Sequence, residues 1–327
     1  MTISSNHNTK HMQLNELGEF GLIGKIKELF SAISLHGCRG IGDDCAVIPT
    51  GAGESLTVTT DMLVEEIHFL RSATDPYRLG RKSLAVNLSD VAAMGATPFA
   101  SFLSIALPRD VSTEWAEQFM EGYRSLSAEF GVALLGGDTT SAPEHIAINV
   151  VAIGRADERK IKYRSTAKAG DIIYVTGYLG DSAQGLIDIR NGAGDSAFAR
   201  VHLDPTPCVR EGIWLGQQSE VHAMMDLSDG LASDLRHILK ASGVSAEVLL
   251  DKIPTKVDVK LAVGGGEDYQ LLLTVAPNSA PEMAAAFAAR FGKPLYEIGK
   301  IGAGTPDITW IGEKAAEIAN CRGFSHF

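Results

Sequence analysis

Cysteine and long apolar runs are both scarce in this chain of 327 residues. Its four cysteines (Cys38, Cys45, Cys208, Cys321) form no Cys-x-x-Cys pair and show no zinc-like spacing, which fits plain thiols in a reducing compartment. No apolar stretch approaches the length of a membrane span. The opening MTISSNHNTKHMQ is polar and has no apolar core like that of a secretory signal, so a cytoplasmic protein is expected. Positive charge is also in deficit: 29 Lys and Arg stand against 40 Asp and Glu, a net charge of −11. That balance argues against general binding to nucleic acid or to an anionic membrane surface. Several motifs are missing as well. No GxxxxGK[ST] phosphate loop, no GxGxxG after a strand, no GxSxG elbow and no HExxH helix occurs, which removes the commonest nucleotide, hydrolase and zinc-protease readings.

What is present is ordinary globular composition, 45% hydrophobic and 21% charged, in a chain longer than one core usually holds. Two domains are expected. Against this background, aspartates cluster at the ends of apolar runs: GIGDDC (Asp43, Asp44), VTTDM (Asp61), NLSD (Asp90), GGDTT (Asp138) and DLSDG (Asp226, Asp229). Carboxylates gathered in one place repel one another, so a fold that converges them needs cations there. Hard divalent ions such as Mg²⁺ take oxygen ligands and commonly bridge carboxylates to phosphate oxygens. The pattern points to metal-dependent phosphate chemistry.

The hydrophobic periodicity predicts helices at Gly18–Ile33, Asp75 to about Met94 (Asp75 as N-cap, Pro76 first in the helix), Thr113–Phe130, Ser182–Arg190, Gly230–Ala241 and Pro281–Phe291. A further helix is opened by Pro205 and Pro207. Strands are predicted at Cys45–Pro49, Leu56–Thr60, Ala100–Leu107, Ala133–Leu135, Ile146–Ile153, Asp171–Thr176, Ala223–Met225, Ala246–Leu250, Tyr269–Val275 and Tyr296–Ile301. Charged, aperiodic sequence over residues 154–170 marks a boundary. The expected organisation is a disordered lead-in at 1–15, a first domain at 16–155 and a second at 156–327, of mixed α/β (α+β) architecture.

Each acidic motif has a plain structural explanation beside the functional one. Gly-Asp-Asp is a good loop sequence, and VTTDM can end in an Asx turn. GGDTT reads as a β-turn after Val132–Leu135. Asp229 can be a mere N-cap, although that leaves Asp226 and Ser228 without a reason. Asp90 sits late in an apolar, small-residue helix, where an unpaired carboxylate is costly. His68, near the acidic VTTDM motif, is either a ligand contact or a partly buried surface histidine. GGGEDY places Glu267 and Asp268 between three glycines and an apolar strand. Six such motifs at element ends make a shared site the better account.

Taken in order, GIGDDCAVI, VTTDMLVEEIHF, KSLAVNLSDVAAMGATP, GGDTT, KYRSTAKAGDIIYVTGYLGDSAQGL, DLSDGLASDL, GGGEDYQLLLT and GFSHF resemble the thiamine-monophosphate kinase family. That family belongs to the ATP-using superfamily of aminoimidazole ribonucleotide synthetase and selenophosphate synthetase. The resemblance runs from about Gly18 to Phe327. It implies a homodimer joined through its N-terminal domains, with ATP in a cleft between the domains of each subunit. It also implies direct in-line transfer of the ATP γ-phosphate to thiamine monophosphate. Carried over by motif, Asp44, Thr59, Asp61, Asp90, Asp138, Asp226 and Asp229 would hold several Mg²⁺ ions. Thr60, Gly137, Asp138, Arg164 and Ser228 would contact ATP, and His68, Glu267 and Phe324 would face thiamine monophosphate. Cys321 stands where a tryptophan can occur in the family, so Phe324 is the aromatic surface left for the thiamine ring.

Two other readings compete. One is a related ATP-dependent synthetase acting on another small substrate, although the glycine or cysteine motifs usual near the N-terminus of those relatives are absent. The other is a silent nucleotide-binding scaffold, which would be expected to have lost acidic motifs that here are all present.

Overall fold

The computed structural model describes residues 13–321 and 323–324. Most of the expected lead-in (1–12) and the last three residues of GFSHF lie outside the described residues. Helices α1 (Leu14–Leu17) and α2 (Glu19–Leu29) precede a five-stranded sheet of β1 (Ala46–Gly51), β2 (Glu54–Val64), β3 (Thr97–Leu107), β4 (Ala133–Ser141) and β5 (Ala147–Asp157). Its order is β1-β2-β5-β3-β4, antiparallel apart from the parallel β3–β4 pair. Helices α3 (Pro76–Ala93) and α4 (Thr113–Phe130) belong to this half.

The second half holds a six-stranded sheet of β6 (Ile172–Val175), β7 (Val221–Asp226), β8 (Ser245–Leu249), β9 (Leu271–Val275), β10 (Tyr296–Gly302) and β11 (Ile308–Ile311), ordered β11-β8-β10-β6-β9-β7. Around it lie α5 (Asp181–Arg190), α6 (Ala197–Leu203), α7 (Val209–Gly216), α8 (Leu231–Ser242), α9 (Val259–Gly264), α10 (Ala280–Phe291) and α11 (Ala315–Ile318). This sheet is covered on both faces, which explains unbroken apolar runs such as Leu271–Val275. Alternate residues divide between two cores. Tyr174, Met224, Leu271 and Leu273 join a cluster with Leu84, Phe119 and Ile148 of the first half, whereas Ile173, Met225 and Leu272 pack with Leu235, Ile238 and Val248. The first core therefore crosses the seam between the halves.

Helix α3 is the pivot. Asp75 caps it by accepting from Arg78 N at 2.9 Å, with Pro76 at its first position. It is buried on nearly every face, and its buried residues include Lys82, Ser83, Asn87 and Ser89 as well as Leu84, Leu88 and Val91. Two glycines let it touch α4 backbone to backbone: a Cβ on Gly80 would lie 2.0 Å from Phe119 O, and one on Gly122 would lie 1.8 Å from Tyr77 O. Among the described residues no helix is long and apolar enough to cross a membrane.

Several boundaries differ from expectation. Strand β2 runs on past Asp61 to Val64, because its partner β5 pairs with it along the whole length from Glu54 to Val64. GGDTT is not a turn: Gly136–Thr140 lie within β4, in a parallel ladder with Phe102–Ala106. The helix expected to be opened by Pro205 and Pro207 begins only at Val209, and a separate α6 precedes it. The short elements α9 and β11 were not expected, since each is too brief to show a period.

Candidate functional site

One loop, two strands and one helix deliver carboxylates to the seam. Asp44 lies in the loop before β1, Asp61 within β2, Asp90 near the end of α3 and Asp226 at the end of β7. Carboxylate oxygens of Asp44, Asp90 and Asp226 lie within 4.8 Å of one another. Each has a tether. The Arg164 guanidinium grips Asp44 with Nη2–Oδ1 at 2.6 Å and Nε–Oδ2 at 3.3 Å, while Asp43 Oδ1 accepts from Arg164 N at 2.8 Å. Thr59 Oγ1 donates to Asp90 Oδ2, and Ser89 Oγ donates to Asp226 Oδ2 at 2.7 Å. Asp61 N donates to Asn87 Oδ1 at 3.1 Å.

Burial disfavours charge at this cluster, and mutual repulsion adds to it. Asp226 is pushed up to about 8 by burial and then by Asp44, and Asp61 to about 6 by the same two causes. Asp90 rises well above the carboxylate range through burial, then Asp61, Asp226 and Asp44. Asp43 rises to about 6, mainly by burial. A set of oxygen donors that resists its own ionisation suits a hard divalent cation, whose charge removes the conflict.

Asp61, Asp90 and Asp226 line a cleft of about 810 Å³, together with Ser228, Asp229, His68, Glu267 and Phe324. His68 Nδ1 accepts from Val64 N at 3.0 Å, which puts the proton of the neutral ring on Nε2. Phe324 is held by its own backbone, Phe324 N donating to Asp229 O at 3.0 Å, and a Cβ on the preceding Gly323 would sit 2.4 Å from that same oxygen. Glu267 has a φ of 63° and its N donates to Ser228 O at 2.7 Å, so a left-handed kink aims this side chain.

Not every expected residue converges. Thr59 is buried but Thr60 points to the opposite, exposed face of β2, where Asn149 Nδ2 donates to its Oγ1 at 2.8 Å. Gly137 and Asp138 stand on the edge strand β4. Across the ladder Asp138 aligns with Ser104, Asn149 and Met62, which places it three strand spacings, about 14 Å, from β2. Asp229 belongs to a second group with Asp234 and His237. There Asp234 Oδ2 accepts from Asp229 N at 3.2 Å and Gly230 N at 3.0 Å, so a carboxylate already occupies the start of α8. Sequence reading assigned no role to Lys82 or His202, both buried and both lining the cleft. The available signal was a lysine inside a helix whose apolar residues leave no solvent face.

Residues 42–156 match the family model described as AIR synthase related protein, N-terminal domain, and residues 168–311 match the corresponding C-terminal domain. The thiamine-monophosphate kinase of Salmonella typhimurium is 37% identical over 329 aligned positions, spanning 95% of this chain and 98% of that protein. Among solved structures, AaThiL complexed with AMPPCP and TMP superposes with a TM-score of 0.83 at 32% identity, covering 98% of this chain and all of that one. The thiamine-monophosphate kinase of Stenotrophomonas maltophilia gives 0.74 at 35% identity, over 90% and 97% of the two chains.

Proposed function

The chain belongs to the thiamine-monophosphate kinase family, with two AIR-synthase-related domains, and from that premise we propose how its residues divide the work. The reaction transfers the γ-phosphate of ATP to thiamine monophosphate, giving thiamine diphosphate and ADP. The observation that carries the reading is the meeting of Asp44, Asp90 and Asp226 within 4.8 Å, where Asp90 and Asp226 line a cleft that also holds Glu267 and His68.

Asp44, Asp61, Asp90 and Asp226 would hold Mg²⁺, with Thr59 and Ser89 orienting two of them. Bound there, Mg²⁺ supplies charge neutralisation for the transferring phosphoryl group. Ser228 and Arg164 serve the nucleotide, Asp229 a further cation beside the DLSDG turn, and His68, Glu267 and Phe324 the acceptor. We take transfer to be direct: an acceptor phosphate oxygen forms the new bond to the γ-phosphorus as the bond to the ADP oxygen breaks in line. The protein's contribution is to position both phosphates and exclude water.

We further propose a homodimer, formed over the outer face of the first sheet. Support comes from the exposure there of Met62 (56%) and Leu135 (60%), and from the edge strand β4, every residue of which is exposed. In such a pair Gly137 and Asp138 would complete the partner's site together with its Thr60. A cytoplasmic place of work is part of the same reading, and the four free cysteines fit it.

The deciding assay combines purified protein, Mg·ATP and thiamine monophosphate and follows thiamine diphosphate. Product dependent on all three is expected, and its absence overturns the assignment.

A further inference from the structure

The cleft has a second polar cluster, away from the carboxylates that would hold metal. Lys82, on α3, is 1% exposed, and its Nζ lies 3.0 Å from Glu267 Oε2. His202, at the end of α6, is 7% exposed, with Nδ1 3.2 Å from the same Oε2 and 3.0 Å from Ser182 Oγ. All four side chains line the cleft. Lys82 comes from the first half of the chain and the other three from the second, so the cluster, like the core beneath it, spans the seam.

We propose that Lys82 and His202 are positioning residues for the acceptor: they hold the Glu267 carboxylate in one orientation, so that it meets the nitrogen-rich, cationic end of thiamine monophosphate. This deepens the function proposed above and rests on it. Both partners converge on Oε2, and among the described residues no hydrogen bond reaches Oε1, the oxygen that remains for a ligand. A carboxylate beside a buried ammonium stays charged, which agrees with the lowered pKa of Glu267; Lys82 is its largest charge partner there, acting against burial. An ionised carboxylate suits a thiazolium and an aminopyrimidine, and it would repel a second phosphate.

The same helix sets the distance. Lys82, Val86 and Asp90 repeat at four-residue spacing and all line the cleft, so they share a face of α3. Eight residues of helix separate Lys82 from Asp90 by about 12 Å. One rigid element thus spaces the end that handles phosphate from the end that handles the ring system. A bystander role is the alternative, in which Lys82 needs only some counter-ion. It predicts loss of stability without selectivity between the substrates.

Steady-state kinetics on the full-length protein separate the two. Lys82→Met should raise KM for thiamine monophosphate about tenfold or more, with KM for ATP changing by less than about twofold. Lys82→Arg should recover most of the loss, and Lys82→Met/Glu267→Gln should be little worse than either single change, because both remove one interaction. If Lys82→Met does not fold by circular dichroism, His202→Gln is measured in the same way and should show the same selective rise. Equal rises in both KM values, a fall in kcat alone, or additive effects in the double variant would overturn the proposal. A parent enzyme that makes no thiamine diphosphate would instead fail at the earlier step, and this inference would fall with it.

Discussion

Ser89 Oγ donates to Asp226 Oδ2 at 2.7 Å, joining two buried residues that lie 137 positions apart. The bond crosses from α3 to the end of β7 and fixes one carboxylate of the acidic cluster against a side chain of another element. Ser89→Ala leaves that oxygen without its donor in a site closed to bulk water. A loss of about 1–3 kcal/mol is expected, measured by denaturant unfolding without divalent ions. Added Mg²⁺ should restore part of it, and an unchanged midpoint in both conditions would show the bond to be idle.

Two asparagine substitutions in the cluster should have opposite effects on metal-free stability. Asp226 is held at high pKa by burial and repulsion, so Asp226→Asn removes a conflict and should raise the melting temperature at pH 8 by about 2 °C or more. Asp44 is gripped by Arg164, whose side chain is only 20% exposed. Asp44→Asn leaves that guanidinium without its carboxylate and should cost about 3 kcal/mol. Both variants should lose turnover by at least about a hundredfold, through the missing ligand charge. Calorimetry with a chelator, read beside the coupled assay, checks the pair.

The same shifts give a pH dependence. Unfolded aspartate titrates near pH 3.9, whereas folded Asp61 and Asp226 titrate at about 6 and about 8. These groups are raised on folding, so the stability they contribute is complete below about pH 4 and is lost as pH rises through the folded values. From pH 6 to 8.5 the metal-free protein should therefore melt progressively lower, through Asp226 above all. Saturating Mg²⁺ should flatten that slope, because the bound cation favours the ionised carboxylates. A metal-free melting temperature that climbs over this range would contradict the assignment.

Asp138 is too far from β2 to serve its own chain's cluster, so its contribution must be tested between chains. If the proposed homodimer forms, co-expressing Asp138→Asn with Asp226→Asn should give mixed dimers in which one of the two sites is intact. Activity of about a quarter of the parent's is expected from random pairing, although each variant alone is inactive. No recovery on mixing would place Asp138 outside the partner's site.

Much of this site could be read from the sequence. Asp44 lies two residues after Gly42, Asp90 directly after Ser89 and Asp226 two residues before Ser228, a local pattern that survives without knowledge of packing. The extent of β2 and β4 was not legible, because Asp61 and Gly136–Asp138 have turn-like composition and are held extended only by pairing with β5 and β3. Lys82 was missed for a related reason. Its ion pair joins positions 185 residues apart, and no local signal encodes that. The opposed facing of Thr59 and Thr60 follows directly from the period of a strand, once the strand is known to continue.

Helix α3 has no face turned fully to water, and along it Lys82, Asn87, Ser89 and Asp90 each reach a different neighbour. Adding or deleting one residue anywhere between Lys82 and Asp90 would turn every later side chain by about 100° and shift it by about 1.5 Å along the axis. Such a change would carry Asp90 away from Thr59, Ser89 away from Asp226, and Leu88 out of its place in the core, all at once. This stretch can therefore change by substitution but not by length. Variation in length among related chains is expected in the loops around it, and an eight-residue step from lysine to aspartate should be shared by any that act on the same acceptor.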